Sequence, residues 1–198
     1  MDSAKRIYET PPTIAAPSPA RLVSDLSSAP PSRGMAQPAW EDFPAVIEDA
    51  SPDRILHYIR TGQVWVVSHR RRNGLILYKT FHAEFAGPGA AIGGSYDQDC
   101  QQVIPVGNLS LIRPASHKEQ QDAYLIRRQW IKLTQQFTDQ SSPLKRAQMI
   151  LNQFETYFDQ QTIARIPDEA FAMLVGVLPY SIRMARRPPG KMQIKVKS

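Results

Sequence analysis

The sequence predicts an α+β fold in which a C-terminal helical bundle is preceded by a small antiparallel sheet and a disordered N-terminal arm. Three observations predict it: apolar residues recur every three or four positions in the C-terminal half, β-branched and aromatic residues cluster between residues 63 and 112, and seven of the seventeen prolines lie in the first 38 residues. We divide the chain into an arm (1–38), a small α+β region (39–114), a bundle (115–187) and a basic tail (188–198).

The arm is rich in Pro, Ser, Thr and Ala and poor in aromatic residues. Such a composition buries too little apolar surface to offset the entropy lost on ordering, so we expect disorder. The composition becomes globular at Trp40. Ser51-Pro52-Asp53 then predicts the start of a helix, with Ser51 as N-cap and Pro52 at the first position, and Gly62 ends it.

The clearest strand signals lie at Gln63–His69 and Leu75–His82, which are rich in Val, Ile, Trp and Tyr. Asn73-Gly74 lies between them, and this pair favours a type I′ turn because both central residues need a positive φ. The pattern predicts a β-hairpin. The segment Val103–Ile112 predicts one or two further short strands that complete a single small antiparallel sheet.

Two other features of this region invite a functional interpretation. Arg70, Arg71 and Arg72 precede the predicted turn, where they would form a cationic finger able to contact phosphate; a solvated hairpin tip is the alternative. The segment Phe85–Gly94 is rich in glycine, but it lacks the Gly-Lys-Ser/Thr ending of a phosphate-binding loop and does not fit the dinucleotide fingerprint. We interpret it as a flexible connection.

The C-terminal half is predicted to be helical. Ser116 and Glu119 form a capping box, Ser142-Pro143 opens a second helix, and Asp159 caps a short third segment. The first two helices carry apolar stripes, which we expect to be core, although Trp130 and Tyr157 could also serve a dimer contact: Ala123, Ile126, Trp130, Leu133 and Phe137, then Ala147, Ile150, Leu151, Phe154 and Phe158.

The window Ile166–Arg187 has the spacing of two helices joined by a sharp turn. Ala172 is small enough to let a second helix cross closely, Gly176 four residues later can leave the helix with positive φ, and Ile182 can plug the second helix into the first. Pro179 lies near the start of the second helix, where its missing N–H costs nothing. An ordinary αα-hairpin is the alternative interpretation.

This window resembles the helix-turn-helix of bacterial transcription regulators, through Leu174-Val175-Gly176-Val177 and the later Ser181-Ile182-Arg183. In such motifs the second helix lies in the major groove with its first residues near base edges. The resemblance implies duplex DNA as the partner. It places Arg186 and Arg187 nearer to phosphates, and it implies base-edge contacts by Tyr180, Ser181, Arg183 and Met184.

Positive charge is concentrated at the end of this window and in the residues that follow it. The formal net charge is +6, and Ser181–Ser198 holds six cations and no acid, which matches the whole excess. The tail contributes Lys191, Lys195 and Lys197 to this run. Such a footprint is typical of phosphate contact. A basic tail that only aids solubility is the alternative.

A second resemblance spans residues 129–187. Through Leu151-Asn152-Gln153-Phe154-Glu155 and Leu174-Val175-Gly176-Val177, the chain is similar to cyanobacterial heterocyst-patterning regulators of the PatU and HetZ type. This resemblance implies a developmental transcription regulator that acts with protein partners; self-association is the other expectation, through the possible dimer contact of Trp130 and Tyr157.

The residues give little indication of an enzyme. The four histidines are scattered and none has a histidine partner four residues on. A nucleophilic Cys100 activated by His82 is conceivable, but an acidic loop, Asp97 and Asp99, beside a partly buried thiol is the simpler explanation. We expect no catalytic residues, metal or cofactor.

The single cysteine suits a reducing cytoplasm, and no apolar run approaches the roughly 18 to 20 residues that span a membrane. The leading hypothesis is therefore a cytoplasmic DNA-binding regulator. A non-enzymatic adaptor that binds a protein through the helical bundle is the alternative. A third hypothesis is an RNA-binding protein that uses Arg70, Arg71 and Arg72 with base stacking on Trp65 or Tyr78.

Overall fold

The computed structural model describes residues 44–187 and has the predicted α+β class. The arm of residues 1–38 and the tail lie outside the described residues. The strands are β1 (Val46–Glu48), β2 (Val64–Val67), β3 (Asn73–Tyr78), β4 (Ala83–Ala86), β5 (Ala91–Gly93), β6 (Gln102–Gly107) and β7 (Ser110–Ile112). The helices are α1 (Pro52–Arg60), α2 (His117–Thr138), α3 (Pro143–Tyr157), α4 (Gln160–Ala164), α5 (Asp168–Val175) and α6 (Pro179–Ala185).

The strands form two antiparallel sheets, whereas the sequence predicted one. The first sheet has the order β1-β7-β2-β5, and the second has the order β4-β3-β6. The predicted strands within Val103–Ile112 are confirmed as β6 and β7, but they belong to different sheets. Because β2 and β3 are also in different sheets, the predicted hairpin between them is wrong.

The Asn73-Gly74 pair begins β3 instead of forming a turn. Neither residue has a positive φ. The buried Asn73 amide donates to the carbonyls of Ser68 and Arg71, both at 3.0 Å, and so shapes the loop that carries the chain from one sheet to the other. A Cβ on Gly74 would lie 2.5 Å from the ring of Phe85, so glycine serves close packing here. The real hairpin joins β3 to β4.

The glycine-rich segment 85–94 is not a flexible connection. It contains the end of β4 and the whole of β5, and Ala86, Ala90 and Ile92 within it are fully buried. Its small residues let α2 lie directly against β4 and β5. Tertiary packing has overridden the flexibility that the composition suggested.

The helix boundaries follow the predicted caps. The N-cap side chains of Ser51, Ser116, Ser142 and Asp159 each accept a hydrogen bond from a backbone N–H three residues on. The Glu119 carboxylate reaches back to accept from the Ala115 N–H at 2.6 Å, one residue before the position that a capping box predicts. Local sequence signals therefore suffice to predict where these four helices begin.

One apolar core joins the sheets to the helices. The Phe85 ring, from β4, lies 5.4 Å from the Trp130 ring and 4.9 Å from the Phe154 ring, and Phe154 lies 4.9 Å from Phe171 of α5. Trp130 is therefore interior and not available for a dimer contact. This aromatic chain fixes α5, and through it α6, on the rest of the molecule.

Candidate nucleic-acid interface

Helices α5 and α6 are joined by a glycine turn whose geometry follows the predicted spacing. Ala172 and Ile182 are buried where the helices cross, and Gly176 has φ 60° and ψ 50°, the left-handed conformation. The Val177 N–H donates to the Ala172 carbonyl at 3.0 Å, a bond typical of a helix that ends at glycine. The pair therefore has a defined crossing.

Two arginines fasten this pair to its neighbours. Arg146 of α3 donates to the carbonyls of Val175 at 3.3 Å and Gly176 at 3.1 Å, which satisfies the end of α5. Arg186 donates to the Ile166 carbonyl at 2.9 Å and lies 5.3 Å from the centre of the Phe171 ring. The turn and the end of α6 are thus both held from the inner side.

The structure places Arg186 differently from the expectation that it lies near phosphates. Its Nε is 2.8 Å from Asp168 Oδ1, although the N–H is not directed along this contact. The guanidinium also donates to the Ile163 carbonyl. Because the protein already engages the guanidinium of Arg186, we assign this residue a structural role and not a contact with DNA.

The outward face of α6 consists of Tyr180, Arg183 and Met184, continued by Arg187 just after the helix. Their spacing of i, i+3, i+4 and i+7 puts them on one side. Tyr180, Arg183 and Arg187 are exposed, while Met184 is partly buried. Ser181 lies beside this face and is also partly buried. Five of the predicted contact residues are thus brought together on or beside a single short helix.

Among the described residues, the side chain of Arg183 has one ion-pair contact, and that contact is long. Its side chain is 60% exposed, and its Nε lies 3.6 Å from Asp168 Oδ2. An exposed pair at this separation contributes little to folding stability. The guanidinium is therefore available to an external acceptor.

The turn before α6 is unusually apolar on its surface. Leu178 is 73% exposed and Tyr180 is 63% exposed, and Val177 is partly buried between α5 and α6. Phosphate contact makes no use of an exposed leucine. This surface is the feature that favours a protein partner.

The remaining predicted cations lie elsewhere. Lys191, Lys195 and Lys197 are outside the described residues. The loop of Arg70, Arg71 and Arg72 joins β2 to β3, and the Arg71 guanidinium is 3.0 Å from Glu48 Oε1. These arginines therefore lie in a loop that connects the two sheets, and not at the tip of a β-hairpin as the sequence predicted.

The arginine loop precedes β3, whereas Glu169 of α5 lies near Tyr78, at the other end of that strand. Burial, and then the nearby carboxylate of Glu169 in α5, raise the pKa of Tyr78 at the far end of that strand. A six-residue strand spans roughly 17 Å, so a short ligand does not bridge both places.

Trp65, one of the two rings proposed for base stacking, is fully buried and cannot stack on a base.

A buried charge cluster, which the sequence did not predict, lies between β3, β4, the loop after β5 and α2. It consists of Lys79, Glu84, Asp97 and Arg127. Asp97 Oδ1 is 2.9 Å from Lys79 Nζ and 3.4 Å from Arg127 Nη2, and Asp97 Oδ2 accepts from the Gly93 N–H at 2.8 Å. Arg127 also pairs with Glu84 and donates to the Ala91 carbonyl.

For Lys79 and Glu84, ion pairing within this cluster shifts the pKa more strongly than burial does. Burial alone would lower the pKa of Lys79, but its bonds to Asp99 and Asp97 raise that pKa above its ordinary value. Burial alone would raise the pKa of Glu84, but Arg127 beside it holds that pKa below its ordinary value. Both groups therefore keep their charges. One signal could have revealed the cluster: Arg127 falls on the buried stripe of α2, four residues after Ala123 and three before Trp130.

Cys100 is a buried thiol beside this cluster. Burial, and then the charge of Asp97, raise its pKa, and its Sγ donates to the Gln102 carbonyl at 3.4 Å. Among residues 44–187, no group of three or more His, Cys, Asp and Glu side chains is arranged to hold a metal ion. No helix in that same range is long and apolar enough to cross a bilayer.

No family model matches the chain, and neither a curated protein nor a solved structure matches it. Its function is therefore inferred from its own residues and their contacts.

Proposed function

We propose that this protein is a DNA-binding transcription regulator that inserts α6 into the major groove of duplex DNA. One observation carries the proposal. The inner side of α6 is packed on α3 and α5, while its other side presents Tyr180, Arg183 and Arg187 to solvent. A rigidly docked helix with outward polar side chains is the arrangement by which such motifs read base edges.

Each residue of the outward face has a distinct expected role. The guanidinium of Arg183 has the donor geometry to bond a guanine edge through two parallel hydrogen bonds. Arg187, at the end of the helix, is suited to a phosphate oxygen. Tyr180, Ser181 and Met184 would pack or bond against neighbouring base edges and sugars.

The basic tail would add affinity without adding sequence preference. Lys191, Lys195 and Lys197 follow α6 directly in the chain, so they would reach phosphates beside the groove. Such contacts release counterions and make binding salt-dependent. The arginine loop of residues 70–72 would be a second phosphate contact only for a duplex long enough to extend along the sheets. The same proposal includes a cytoplasmic location, which the single cysteine suits, and a developmental role, which the PatU and HetZ resemblance implies.

The experiment that tests this proposal begins with selection of bound duplexes from a random pool by the full chain. Replacing Arg183 by Ala should then weaken binding to the selected site by about 1 to 3 kcal/mol and relax its preference at one base pair, because one two-bond base contact is lost. Replacing Lys195 by Ala should weaken all duplexes alike and flatten the salt dependence.

The matched control is Arg128→Ala, which removes the same charge from an exposed position of α2. It should leave site preference unchanged. Recovery of no preferred sequence from the pool would contradict a sequence-specific regulator.

The exposed Leu178 and Tyr180 favour a second candidate function, a non-enzymatic adaptor that binds a protein through the helical bundle. Capture of a defined partner that survives nuclease treatment and the changes Arg183→Glu and Arg187→Glu, but is lost with Leu178→Ser, would support the adaptor. Capture lost on nuclease treatment would support DNA binding.

A further inference from the structure

Asp168 contacts Arg183 and Arg186, and the rest of the protein holds these two arginines to different extents. Its Oδ1 is 2.8 Å from Arg186 Nε, and its Oδ2 is 3.6 Å from Arg183 Nε. Its side chain is only 22% exposed, so the carboxylate is fixed at the first turn of α5. Arg186 is further held by backbone carbonyls, whereas Arg183 is largely in solvent.

The atoms in contact determine what Arg183 can still do. Asp168 approaches Arg183 on the Nε side of the guanidinium. A carboxylate on the Nε side does not occupy the two terminal amino groups, Nη1 and Nη2. A guanine presents two adjacent acceptors, O6 and N7, that match such a pair of donors. The contact therefore favours one orientation of the fork over the many that a free arginine adopts.

The same carboxylate also acts against indiscriminate binding. A phosphate that approached Arg183 from the α5 side would come close to the negative charge of Asp168, and like charges at short range repel. A base edge carries no net charge, so the repulsion it meets is weaker. Asp168 thus disfavours the sequence-independent contact more than the sequence-dependent one.

We propose that Asp168 is a positioning residue for DNA specificity, which holds Arg183 in the orientation that reads a base and keeps it from phosphates. The inference rests on the proposed DNA-binding function. Because Asp168 acts through Arg183, its effect should appear in the ratio between affinity for a preferred duplex and affinity for a scrambled duplex of equal length.

The test measures that ratio for the full chain with Asp168→Asn, which removes the charge but keeps the shape. We expect the ratio to fall about two- to fivefold, the range of an exposed ion pair, with tighter binding to scrambled DNA. The matched control is Glu169→Gln, which removes the same charge from an exposed neighbour in the same turn of α5. It should change both affinities alike and leave the ratio unchanged.

A double-mutant cycle separates positioning from a general structural effect. In an Arg183→Ala background, Asp168→Asn should no longer change the ratio, because the side chain through which it acts is absent. A ratio that falls equally in both backgrounds would overturn the proposal, since Asp168 would then act by another route. Equal ratios for Asp168→Asn and Glu169→Gln would overturn it as well.

Failure of the proposed function is distinguishable from these outcomes. If the unmodified chain shows no difference between preferred and scrambled duplexes, DNA specificity itself is lost, whatever Asp168 does. If Asp168→Asn fails to fold, the side-chain NMR signal of Arg183 Nε in the unmodified chain provides the test. In the DNA-free protein the Nε–H of Arg183 should be more ordered than that of the exposed Arg187, and equally free motion of the two would overturn the proposal.

Discussion

Two charged regions of this molecule differ in how completely their charges are paired. In the buried charge cluster, Asp97 is bonded to Lys79, to Arg127 and to a backbone N–H, and solvent scarcely reaches it. On the outward face of α6, Arg183 has one long contact and Arg187 is exposed. Charges that the protein neutralises internally hold the fold, whereas charges it leaves exposed are available to a partner.

The largest expected effect is in the buried cluster. Asp97→Ala should lower the free energy of unfolding by about 3 to 5 kcal/mol, because it leaves two buried cations without their shared anion. Urea denaturation measures the loss. The control is Asp99→Ala, which removes a carboxylate that also contacts Lys79 but is 61% exposed, and which should cost less than about 1 kcal/mol. Similar losses for both variants would contradict the distinction between buried and exposed pairs.

The next effect compares two neighbouring arginines at the end of α6. Arg186→Ala should destabilise the protein by about 1.5 to 3 kcal/mol, because the carbonyls of Ile163 and Ile166 lose a charged donor. Arg187→Ala should change stability by no more than about 0.5 kcal/mol, as expected of an exposed side chain. Thermal unfolding of the two variants checks this. Equal stability changes would show that Arg186 is not structural.

A smaller effect is expected at the turn that positions α6. Gly176→Ala should cost about 1 to 2 kcal/mol, because the left-handed conformation brings a Cβ close to the following carbonyl. Crowding adds nothing, since the nearest atom to such a Cβ is Arg146 Nη1 at 3.8 Å. Gly176→Asn serves as the control and should cost less, because asparagine tolerates this conformation. If Gly176→Asn destabilised the protein more than Gly176→Ala in denaturation experiments, the left-handed conformation would not be the cause of the loss.

The smallest effect concerns pH. The folded pKa of Glu84 is below its ordinary value of 4.5, so its stabilising contribution is complete above that value and is lost as pH falls through the folded pKa. The raised pKa of Lys79 acts in the opposite range, and its contribution is lost only as pH rises through that folded pKa. Glu84→Gln should therefore flatten the fall in unfolding free energy on acidification below about pH 4.5. Parallel curves for the variant and the unmodified chain would contradict this.

Those parts of the fold that depend on neighbouring residues could be predicted from the sequence. The caps at Ser116, Ser142 and Asp159 and the turn at Gly176 all act within three to five residues, and the structure has each of them. The buried stripes of α2 and α3 were also predicted, because helical periodicity is a local property.

The features that could not be predicted are those whose structure depends on residues far away in the sequence. The Asn73-Gly74 pair predicts a turn, but the role of Gly74 is set by Phe85, eleven positions later, and by the sheet to which its strand belongs. The paired residues in the buried charge cluster lie between 18 positions (Lys79 with Asp97) and 43 positions (Glu84 with Arg127) apart. The inward direction of Arg186 depends on carbonyls at least twenty positions earlier. No local pattern carries such information.

The most direct test of the central claim is the affinity of the full chain for duplex DNA as salt is increased, measured by fluorescence anisotropy. If Arg187 and the basic tail contact phosphates, the logarithm of the binding constant should fall linearly with the logarithm of salt concentration, with a slope of about −0.9 for each phosphate neutralised. Arg187→Ala should reduce that slope, whereas Arg128→Ala should not. An absence of duplex binding at low ionic strength, or an affinity that salt does not alter, would contradict the account.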